Sequence, residues 1–354
     1  MKKFVKSLLF VGSLFLVLSC ANDGDGSDGS DGRLSYRACY VLNSGDFKSN
    51  NSSLTKFCGA TGETVQNYFE LQNGRVLGNT ANDIIIYGSK MYIAVSGEGT
   101  IEVTDLNAKS LRQIKCGEQG EQPRCLAAHG DKVYATYYNG YVARIDTATL
   151  EVETQCAVGR NPEQLAVYEG KIYVANSGGM DWNTELGYDK TVSVIDVETF
   201  TETAKIGVVL NPAVLVPADN GLFLASYGDY GAVPGTLQFI AKDGNADVVE
   251  ACSNMTEICF SNGVLYGFFS QYDANFNATI TYMSYNPSNG AVDSPWIKED
   301  FLPVPYKVCA VGDYVCVTSS DYLNDGDVYL YDTDGMLVAK IAAGLNPVKV
   351  VAVE

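Results

Sequence analysis

The C-terminal end of the chain begins a repeat that it does not complete. The segment 345–353, LNPVKVVAV, starts like the LNP at 210–212. In three earlier copies a Pro is followed eleven residues later by an aromatic residue in a β-rich run: Pro123 by Tyr134, Pro162 by Tyr173, and Pro212 by Phe223. Eleven residues from Pro347 run past the last residue, and the missing half reads like 38–45, ACYVLNSG. A repeat divided between the two ends of a chain predicts a closed ring.

The repeated unit reads as four short strands. In the fourth unit these are 163–168, 171–176, 190–196 and 200–206, with Gly, Asn and Asp between the runs. No run shows a sustained helical period. An aromatic or apolar anchor in the second strand recurs every 39 to 52 residues: Tyr40, Tyr92, Tyr134, Tyr173, Phe223, Tyr266 and Val315. Seven anchors predict seven units.

Four-stranded units at this period fit the blades of a β-propeller better than a solenoid, which needs distinct caps at its ends. We therefore predict an all-β fold over residues 34–354, a seven-bladed β-propeller of four-stranded antiparallel blades. The C-terminal strand 347–353 is expected to pair with the N-terminal blade beside 36–42. This pairing hides edge strands that an open sheet would expose.

The first nineteen residues have the pattern of an export signal. Three lysines precede an eleven-residue apolar core at 8–18, which is too short to span a bilayer as a helix. The core ends in VLSC at 17–20, which resembles a bacterial lipoprotein signal with lipidation of Cys20. A plain secretory signal is the alternative, but no A-x-A-like site follows. We predict a lipoprotein signal peptide at 1–19.

Residues 20–33 are predicted to be the lipidated Cys and a flexible acidic tether, ANDGDGSDGSDG. An EF-hand loop is excluded, because counting from Asp23 places Asp28 and Leu34 where Gly and a carboxylate are required. The tether resembles the acidic export segment of surface-exposed lipoproteins in some diderm bacteria. That resemblance implies a lipid-anchored protein of the outer membrane that faces the extracellular side, with the periplasmic leaflet left open.

The charge of the chain argues against a nucleic-acid partner. The formal net charge is −18, and removal of the three lysines of the signal makes it −21. Such an acidic balance repels phosphate backbones. Of the ten cysteines nine remain beside Cys20, an odd number that cannot all pair, and which of them form disulfides stays open. With one His and no CxxC, we predict no metal site.

Candidate binding residues lie in the long loops between the second and third strands. These loops are 43–53, 176–190, 227–236, 270–279 and 319–327. In a propeller they share one face with the loops that lead into each first strand, and that face is the usual ligand site. Aromatic side chains on such loops suit a flat or polyhydroxylated ligand, unless each caps the core beneath it. The predicted binding aromatics are Phe47, Trp182, Tyr188, Tyr230, Tyr272, Phe276 and Tyr322.

Two arginines precede first strands near the channel mouth. Arg124 stands in QPR and Arg160 in GRNPE. Both are candidates for contact with a carboxylate, phosphate or amide of a ligand, and balance of neighbouring acidic charge is the alternative. The prolines that recur beside them are predicted to be structural, since a missing N–H costs little at the start of a strand.

No catalytic constellation emerges from the sequence. The motifs G-x-S-x-G, G-x-G-x-x-G, Walker A and H-E-x-x-H are absent. A Ser-His-Asp triad would need His129, whose counterpart in the next unit, Tyr168, falls in a hairpin turn on the opposite face. We therefore predict a non-enzymatic protein without a cofactor.

The repeat itself resembles a known family. The runs KIYVAN at 171–176 and TVSVID at 191–196 are similar to the YVTN propeller repeat, in which an aromatic–Val–x–Asn strand precedes a strand that ends in Ile-Asp. The runs CYVLN at 39–43 and YVARID at 141–146 match in part, and LFLAS at 222–226 lacks the Asn. Over about residues 36–354 the chain resembles surface-layer-type YVTN propeller lipoproteins.

One branch of that group is the cobalamin-capturing propeller lipoprotein, which sits over a TonB-dependent importer. The resemblance implies that this protein binds a small-molecule nutrient, such as cobalamin or another corrinoid, and passes it to an outer-membrane transporter. Two other functions stay open: a surface adhesin or glycan-binding module, and a propeller lactonase or lyase. The identity of the ligand and the oligomeric state do not follow from the sequence.

Overall fold

The computed structural model describes residues 36–117, 121–272, 278–298 and 304–353. These residues form seven four-stranded antiparallel sheets, which are the blades of a propeller. The predicted signal peptide, Cys20, the tether and Phe276 lie outside the described residues. Within them, no helix is long and apolar enough to cross a bilayer.

The first strand of each blade lies innermost, and neighbouring first strands contact each other around the channel. They are β4 (Ala81–Tyr87), β8 (Pro123–His129), β12 (Pro162–Tyr168), β16 (Pro212–Ala218), β20 (Glu257–Ser261), β24 (Pro305–Val311) and β28 (Pro347–Val353). The second strands are β1 (Ala38–Asn43), β5 (Lys90–Val95), β9 (Lys132–Tyr137), β13 (Lys171–Asn176), β17 (Gly221–Ser226), β21 (Val264–Tyr272) and β25 (Tyr314–Ser319).

The outer two layers complete the blades. The third strands are β2 (Ser53–Phe57), β6 (Thr100–Asp105), β10 (Tyr141–Asp146), β14 (Thr191–Asp196), β18 (Thr236–Ala241), β22 (Ala278–Asn286) and β26 (Asp325–Tyr331). The fourth strands are β3 (Thr64–Val65), β7 (Ser110–Lys115), β11 (Val152–Ala157), β15 (Thr201–Gly207), β19 (Ala246–Val248), β23 (Ala291–Asp293) and β27 (Leu337–Leu345).

The predicted closure of the ring is confirmed. Strand β28 pairs antiparallel with β1, and Val350 stands opposite Val41. The first blade therefore takes its innermost strand from the C-terminus and its other three from the N-terminus. The other blades are numbered in chain order, so that β4 to β7 form blade two and β24 to β27 form blade seven. All seven predicted anchors lie on second strands and are buried.

The core consists of apolar clusters between neighbouring blades. One cluster joins blades one and two through Tyr40, Leu54 and Ile93, and the other neighbouring pairs of blades have clusters of the same kind. Successive side chains of a strand point to opposite faces of its blade, and each face packs on a neighbouring blade. The second strands are therefore apolar at consecutive positions, as in β1 (ACYVLN). Cys39 and Cys316 serve here as small buried apolar residues, as their strand-like surroundings predict.

Four short helical elements of the described residues depart from the all-strand expectation, and three of them are single 3-10 turns at Ser96–Glu98, Gly179–Asp181 and Glu250–Cys252. A helix, α1 (Tyr68–Asn73), links the first blade to the second and buries Phe69. Asn73 fixes it, because its amide donates to Ala108 O at 2.8 Å and accepts from Ser110 N at 2.9 Å. Six residues make fewer than two helical turns, so no periodic pattern in the sequence reveals the helix.

Candidate ligand-binding site on the loop face

The loops that were predicted to carry the site converge on one end of the central channel. The connections between second and third strands meet there with the segments that lead into the first strands, and we call this end the loop face. The channel holds a cavity of about 880 Å³ lined by all seven first strands. The predicted loop 270–279 is shorter than expected, since β21 and β22 extend into it.

The repeated Asn-Pro dipeptides anchor these loops. Asn161, Asn211 and Asn346 each adopt a left-handed conformation directly before the Pro that opens a first strand. Each accepts, on its carbonyl oxygen, the N–H of the first loop residue of the same blade: Ser177, Tyr227 and Ser44. Asn and Asp tolerate positive φ better than most residues, because their side chains bond to nearby backbone. The loops therefore leave the sheet from fixed positions.

Several predicted aromatics form an exposed rim around the loop face. The exposed fractions are 67% for Phe47, 63% for Trp182, 76% for Tyr230 and 64% for Tyr322. Tyr188 is half-buried. Tyr272 ends β21, and its side chain is outside the described part of the molecule.

Two contacts continue the rim into the channel. The ring of Tyr230 lies 6.5 Å from Tyr188 and 6.5 Å from Tyr227, which lines the channel. The ring of Tyr322 packs edge-on against the channel-lining Tyr306 at 5.4 Å. Ring pairs at these separations are ordinary aromatic contacts. The rim thus continues into the channel wall at two separate places, one in blade five and one in blade seven.

The two predicted arginines have different positions. Arg124 lines the channel, where its Nε and Nη2 donate to Glu163 Oε2 at 3.1 and 3.0 Å. Arg160 instead secures the loop that carries Trp182. Its Nη1 lies 2.6 Å from Asp181 Oδ2 and 3.0 Å from the carbonyl oxygen of Gly187. Its guanidinium positions an aromatic loop and does not line the cavity formed by the described residues.

Sequence reasoning missed a ring of charged side chains inside the mouth of the channel. Six of the seven first strands contribute one residue each to what we call the channel ring: Asp83, Arg124, Glu163, Glu257, Lys307 and Lys349. The seventh strand, β16, contributes Ala213 and Val214, which makes one sector of the wall apolar.

Backbone irregularities place most of these side chains. Register shifts interrupt the pairing of β4, β8, β12 and β24 with their second strands beside Asp83, Arg124, Glu163 and Lys307. An extra residue in a strand re-aims the neighbouring side chains, which is a common use of bulges at the rims of closed sheets. A charged residue one or two positions after a strand-opening Pro is the sequence signal that identifies several of these positions.

The ring is held by three ion pairs and two tyrosines. Lys349 Nζ lies 2.6 Å from Asp83 Oδ1, and Lys307 Nζ lies 2.6 Å from Glu257 Oε1. Tyr227 donates its hydroxyl to Glu257 at 2.5 Å. Tyr138 of blade three donates to Glu163 of blade four at 2.5 Å, and Arg124 stacks on the ring of Tyr138 at 4.3 Å. The channel ring thus contains two sets of tyrosine, carboxylate and cation, and each set spans neighbouring blades.

The titration behaviour of the ring follows from burial and pairing. Burial and then the charge of Glu257 raise the pKa of Tyr227 well above its usual value, so the hydroxyl stays a donor. Burial opposes the charged form of Lys307, but the attraction of Glu257 outweighs it and raises the pKa of this lysine. The cations of the ring therefore stay charged across the physiological pH range.

The described residues include no group of three or more His, Cys, Asp or Glu that would hold a metal ion. His129, the one histidine, ends β8 at an exposed turn at the end of the strand away from the loop face. The described lining of the channel offers hydrogen bonding, charge and aromatic contact.

Asp321 fixes the loop that presents Tyr322, and its titration is a test of that loop. The carboxylate accepts from Asn324 Nδ2 and Asn324 N at 2.7 Å each, which lowers the pKa of Asp321 to about 2. Because this pKa is below the ordinary value of about 3.9 for Asp, the stabilisation of the loop is complete above that value and is lost as the pH falls towards 2. We expect the carboxyl ¹³C signal of Asp321 to titrate near pH 2.

The variant Asn324→Ala is the control, because it removes the side-chain donor. In that variant the midpoint of Asp321 is expected to rise towards the ordinary value. A midpoint near 4 in the unaltered protein would show that the loop does not adopt this turn in solution.

The fold and the channel mouth define the protein as a seven-bladed β-propeller with an open, aromatic-rimmed cavity on its loop face. The family described as Domain of unknown function (DUF5074) matches residues 37–213, half of the chain, and the chain belongs to this family. No protein with a curated description matches the sequence.

Solved structures with a similar fold have diverse descriptions. Kuenenia stuttgartiensis hydrazine synthase aligns with a TM-score of 0.62 at 16% identity, over 76% of this chain and 88% of that chain. A candidate 6-phosphogluconolactonase from Bacteroides fragilis aligns with a TM-score of 0.61 at 14% identity, over 90% and 98%. The Neurospora crassa Pan2 WD40 domain aligns with a TM-score of 0.54 at 12% identity, over 77% and 78%. At these identities the similarity shows the fold alone.

Proposed function

We propose that this protein captures a small-molecule nutrient at the loop-face mouth of its channel and hands it to an outer-membrane transporter. The main support is the placement of exposed aromatic side chains around a cavity of about 880 Å³. Soluble proteins seldom leave several large rings exposed around one opening unless the rings contact a ligand or partner. The lipid anchor at Cys20 and the outward-facing location belong to the same proposal.

The candidate ligand is a corrinoid, which the resemblance of the repeats suggests. A corrinoid is a broad, nearly flat ligand with amide side chains, and it offers a face for ring contact and an edge for hydrogen bonds. The mouth supplies both kinds of contact, from Tyr230 and Tyr322 at the rim and from the channel ring below.

Calorimetric titration of the purified protein with cobinamide, cobalamin and a panel of glycans tests the proposal. Saturable heat with a corrinoid supports it. Heat with a glycan alone favours the adhesin or glycan-binding alternative. The absence of heat with any corrinoid removes this ligand from the proposal.

Loss of rim aromatics is expected to weaken capture while stability is unchanged. Trp182→Ala and Tyr230→Ala each remove an exposed ring, and ring contacts at the centre of an interface are worth about 1–3 kcal/mol, or roughly 5- to 150-fold in affinity. The matched control is Leu111→Ala, a half-exposed apolar residue on the outer strand β7. Equal affinity of all three variants would place the ligand elsewhere on the molecule.

Aliphatic side chains on the same loops support the hand-off to a partner protein. Met180, Leu186 and Leu323 are exposed by 63%, 66% and 84%, beside the aromatic rim. Such residues suit a protein surface better than a polar ligand. Pull-down from solubilised outer membranes distinguishes hand-off from adhesion as the function of the loop face. A transporter partner supports hand-off, whereas a host mucin or matrix protein supports adhesion.

A further inference from the structure

The channel ring has more unused hydrogen-bond donors than acceptors, and this imbalance bears on the ligand. The carboxylate of Asp83 accepts three hydrogen bonds, from Lys349 Nζ at 2.6 Å, Leu126 N at 2.7 Å and Ile84 N at 2.9 Å. Glu163 also accepts three, two from Arg124 and one from the hydroxyl of Tyr138. These two carboxylates have most of their accepting capacity in use within the protein.

The cations of the ring are less fully used. Among the described residues Lys349 Nζ has a single acceptor, Asp83, although an ammonium has three donors. Arg124 uses Nε and Nη2, which leaves Nη1 without a partner in the described part of the chain. Lys307 bonds to Glu257 at 2.6 Å and reaches the Tyr227 hydroxyl only at 3.5 Å.

Exposure follows the same division in two of the three ion pairs. The side chain of Lys349 is 27% exposed against 6% for Asp83, and that of Lys307 is 33% exposed against 14% for Glu257. In the third pair Arg124 and Glu163 are equally exposed, at 19% and 18%. Two carboxylates thus lie behind their cations, and the surface that the ring presents to the cavity has spare N–H donors.

The ring is nevertheless neutral as a whole. Three cations balance three carboxylates, each at bonding distance from its partner. An anionic ligand would meet repulsion from Asp83, Glu163 and Glu257 at close range, in a chain of net charge −18. A neutral oxygen acceptor uses the spare donors without disturbing the ion pairs.

The apolar sector of the channel wall sets a second requirement for the ligand. Strand β16 presents Ala213 and Val214 to the cavity, and the cations of the ring come from blades one, three and seven rather than from this sector. Tyr227 and Tyr230 continue the apolar sector outward. A ligand that fits the mouth has oxygen acceptors on one part and an apolar or planar face on another.

We infer that the channel ring binds a neutral, oxygen-rich ligand whose amide or hydroxyl oxygens accept hydrogen bonds from Arg124, Lys307 and Lys349. The inference deepens the proposed capture function and rests on the same site, but it specifies the chemical class of the ligand independently of any corrinoid. Binding of this kind is only weakly dependent on salt, whereas binding of an anion weakens as ionic strength rises.

Two isosteric probes test the inference on the full-length protein. The protein is labelled with ¹⁵N at arginine, and the side-chain Nε–Hε signals of its seven arginines are recorded. It is then titrated separately with N-methylacetamide and with sodium acetate at matched ionic strength. N-methylacetamide is expected to shift the Nε–Hε signal of Arg124 saturably, and acetate to shift it several-fold less. The signal of the exposed Arg112 is the internal reference.

A charge-matched variant adds a second measurement. Asp83→Asn combined with Lys349→Met removes one cation and its carboxylate together, so the ring stays neutral, and it should weaken the response to N-methylacetamide several-fold. Lys205→Met, a half-exposed lysine on β15, is the control. If the double variant does not fold, the comparison of the two probes on the unaltered protein still decides.

Stronger binding of acetate than of N-methylacetamide would overturn the inference and indicate an anion site. The absence of a response to either probe would also overturn it and leave the ring with a structural role alone. Failure of corrinoids in calorimetry with a positive response to N-methylacetamide refutes the proposed ligand and leaves the inferred class standing. The two failures are therefore distinguishable.

Discussion

Replacement of Val350 by Asp is expected to prevent the ring from closing and to unfold the protein. Val350 is 2% exposed, stands opposite Val41 on β1, and packs in the cluster between blades seven and one. An unpaired carboxylate buried there costs several kcal/mol, which is comparable to the roughly 5–15 kcal/mol that stabilises a typical domain. Separation of β28 from β1 would also expose two edge strands.

Urea unfolding followed by circular dichroism and by tryptophan fluorescence in a Trp182→Phe background, which leaves Trp296 as the one tryptophan, measures the effect. Trp296 is 2% exposed between blades six and seven, so it reports on packing near the closure. Val248→Asp is the matched control, because Val248 lies 40% exposed on the outer strand β19 and should change stability by no more than about 0.5 kcal/mol. Similar stability of both variants would mean that the ring does not depend on its closing strand.

The architecture was predictable from the sequence because the information is repeated. A single run such as KIYVAN is ambiguous, but seven copies at similar spacing leave few arrangements, and a unit split between the termini leaves closure. The strand bounds of the fourth blade agree with the prediction to within one residue, since Gly and Asp turns separate its strands.

The channel ring was not predictable by the same argument. Strand alternation assigns each residue of a first strand to one of two faces, but the register shifts near Asp83, Arg124 and Glu163 break that alternation where the ring forms. For Arg160 the alternative of pairing with a neighbouring acid is the one that the structure shows, but its partner Asp181 was hidden, because it lies across the loop rather than at a regular spacing. A charged residue close to a strand-opening Pro is the signal that future sequence analysis of such chains can use.

The Asn of the YVTN-like repeat has a structural role that leads to the second large effect. Asn176 is fully buried at the end of β13. Its amide donates to Thr191 Oγ1 at 3.0 Å and to Ser193 Oγ at 2.9 Å, and it accepts from Gly159 N at 3.1 Å. It thereby ties the second and third strands of blade four to the chain that arrives from blade three.

The first blade repeats this arrangement across the closure of the ring. Asn43 donates to Ser53 and Thr55 on β2 and accepts from Gly344 N at 2.9 Å. The corresponding position is Ser226 in blade five and Ser319 in blade seven, as their pairing with Pro212 and Pro305 shows. Serine is too short to make all of these bonds, so blades five and seven keep the four-stranded fold without the full set.

Asn176→Leu is therefore expected to destabilise the protein by about 3–5 kcal/mol, because a near-isosteric apolar side chain leaves the buried Ser193 hydroxyl and Gly159 N–H without this partner. Gly159→Ala should act in the same direction, since a Cβ there would lie 2.3 Å from Cγ of Asn176. Asn183→Leu, on the exposed part of the Trp182 loop, is the control and should leave the urea midpoint nearly unchanged. Equal midpoints for Asn176→Leu and Asn183→Leu would show that the repeated Asn is not a structural tie. Retention of ligand binding by folded Asn176→Leu protein would then assign the repeat to the scaffold, and the loops and the channel ring to recognition.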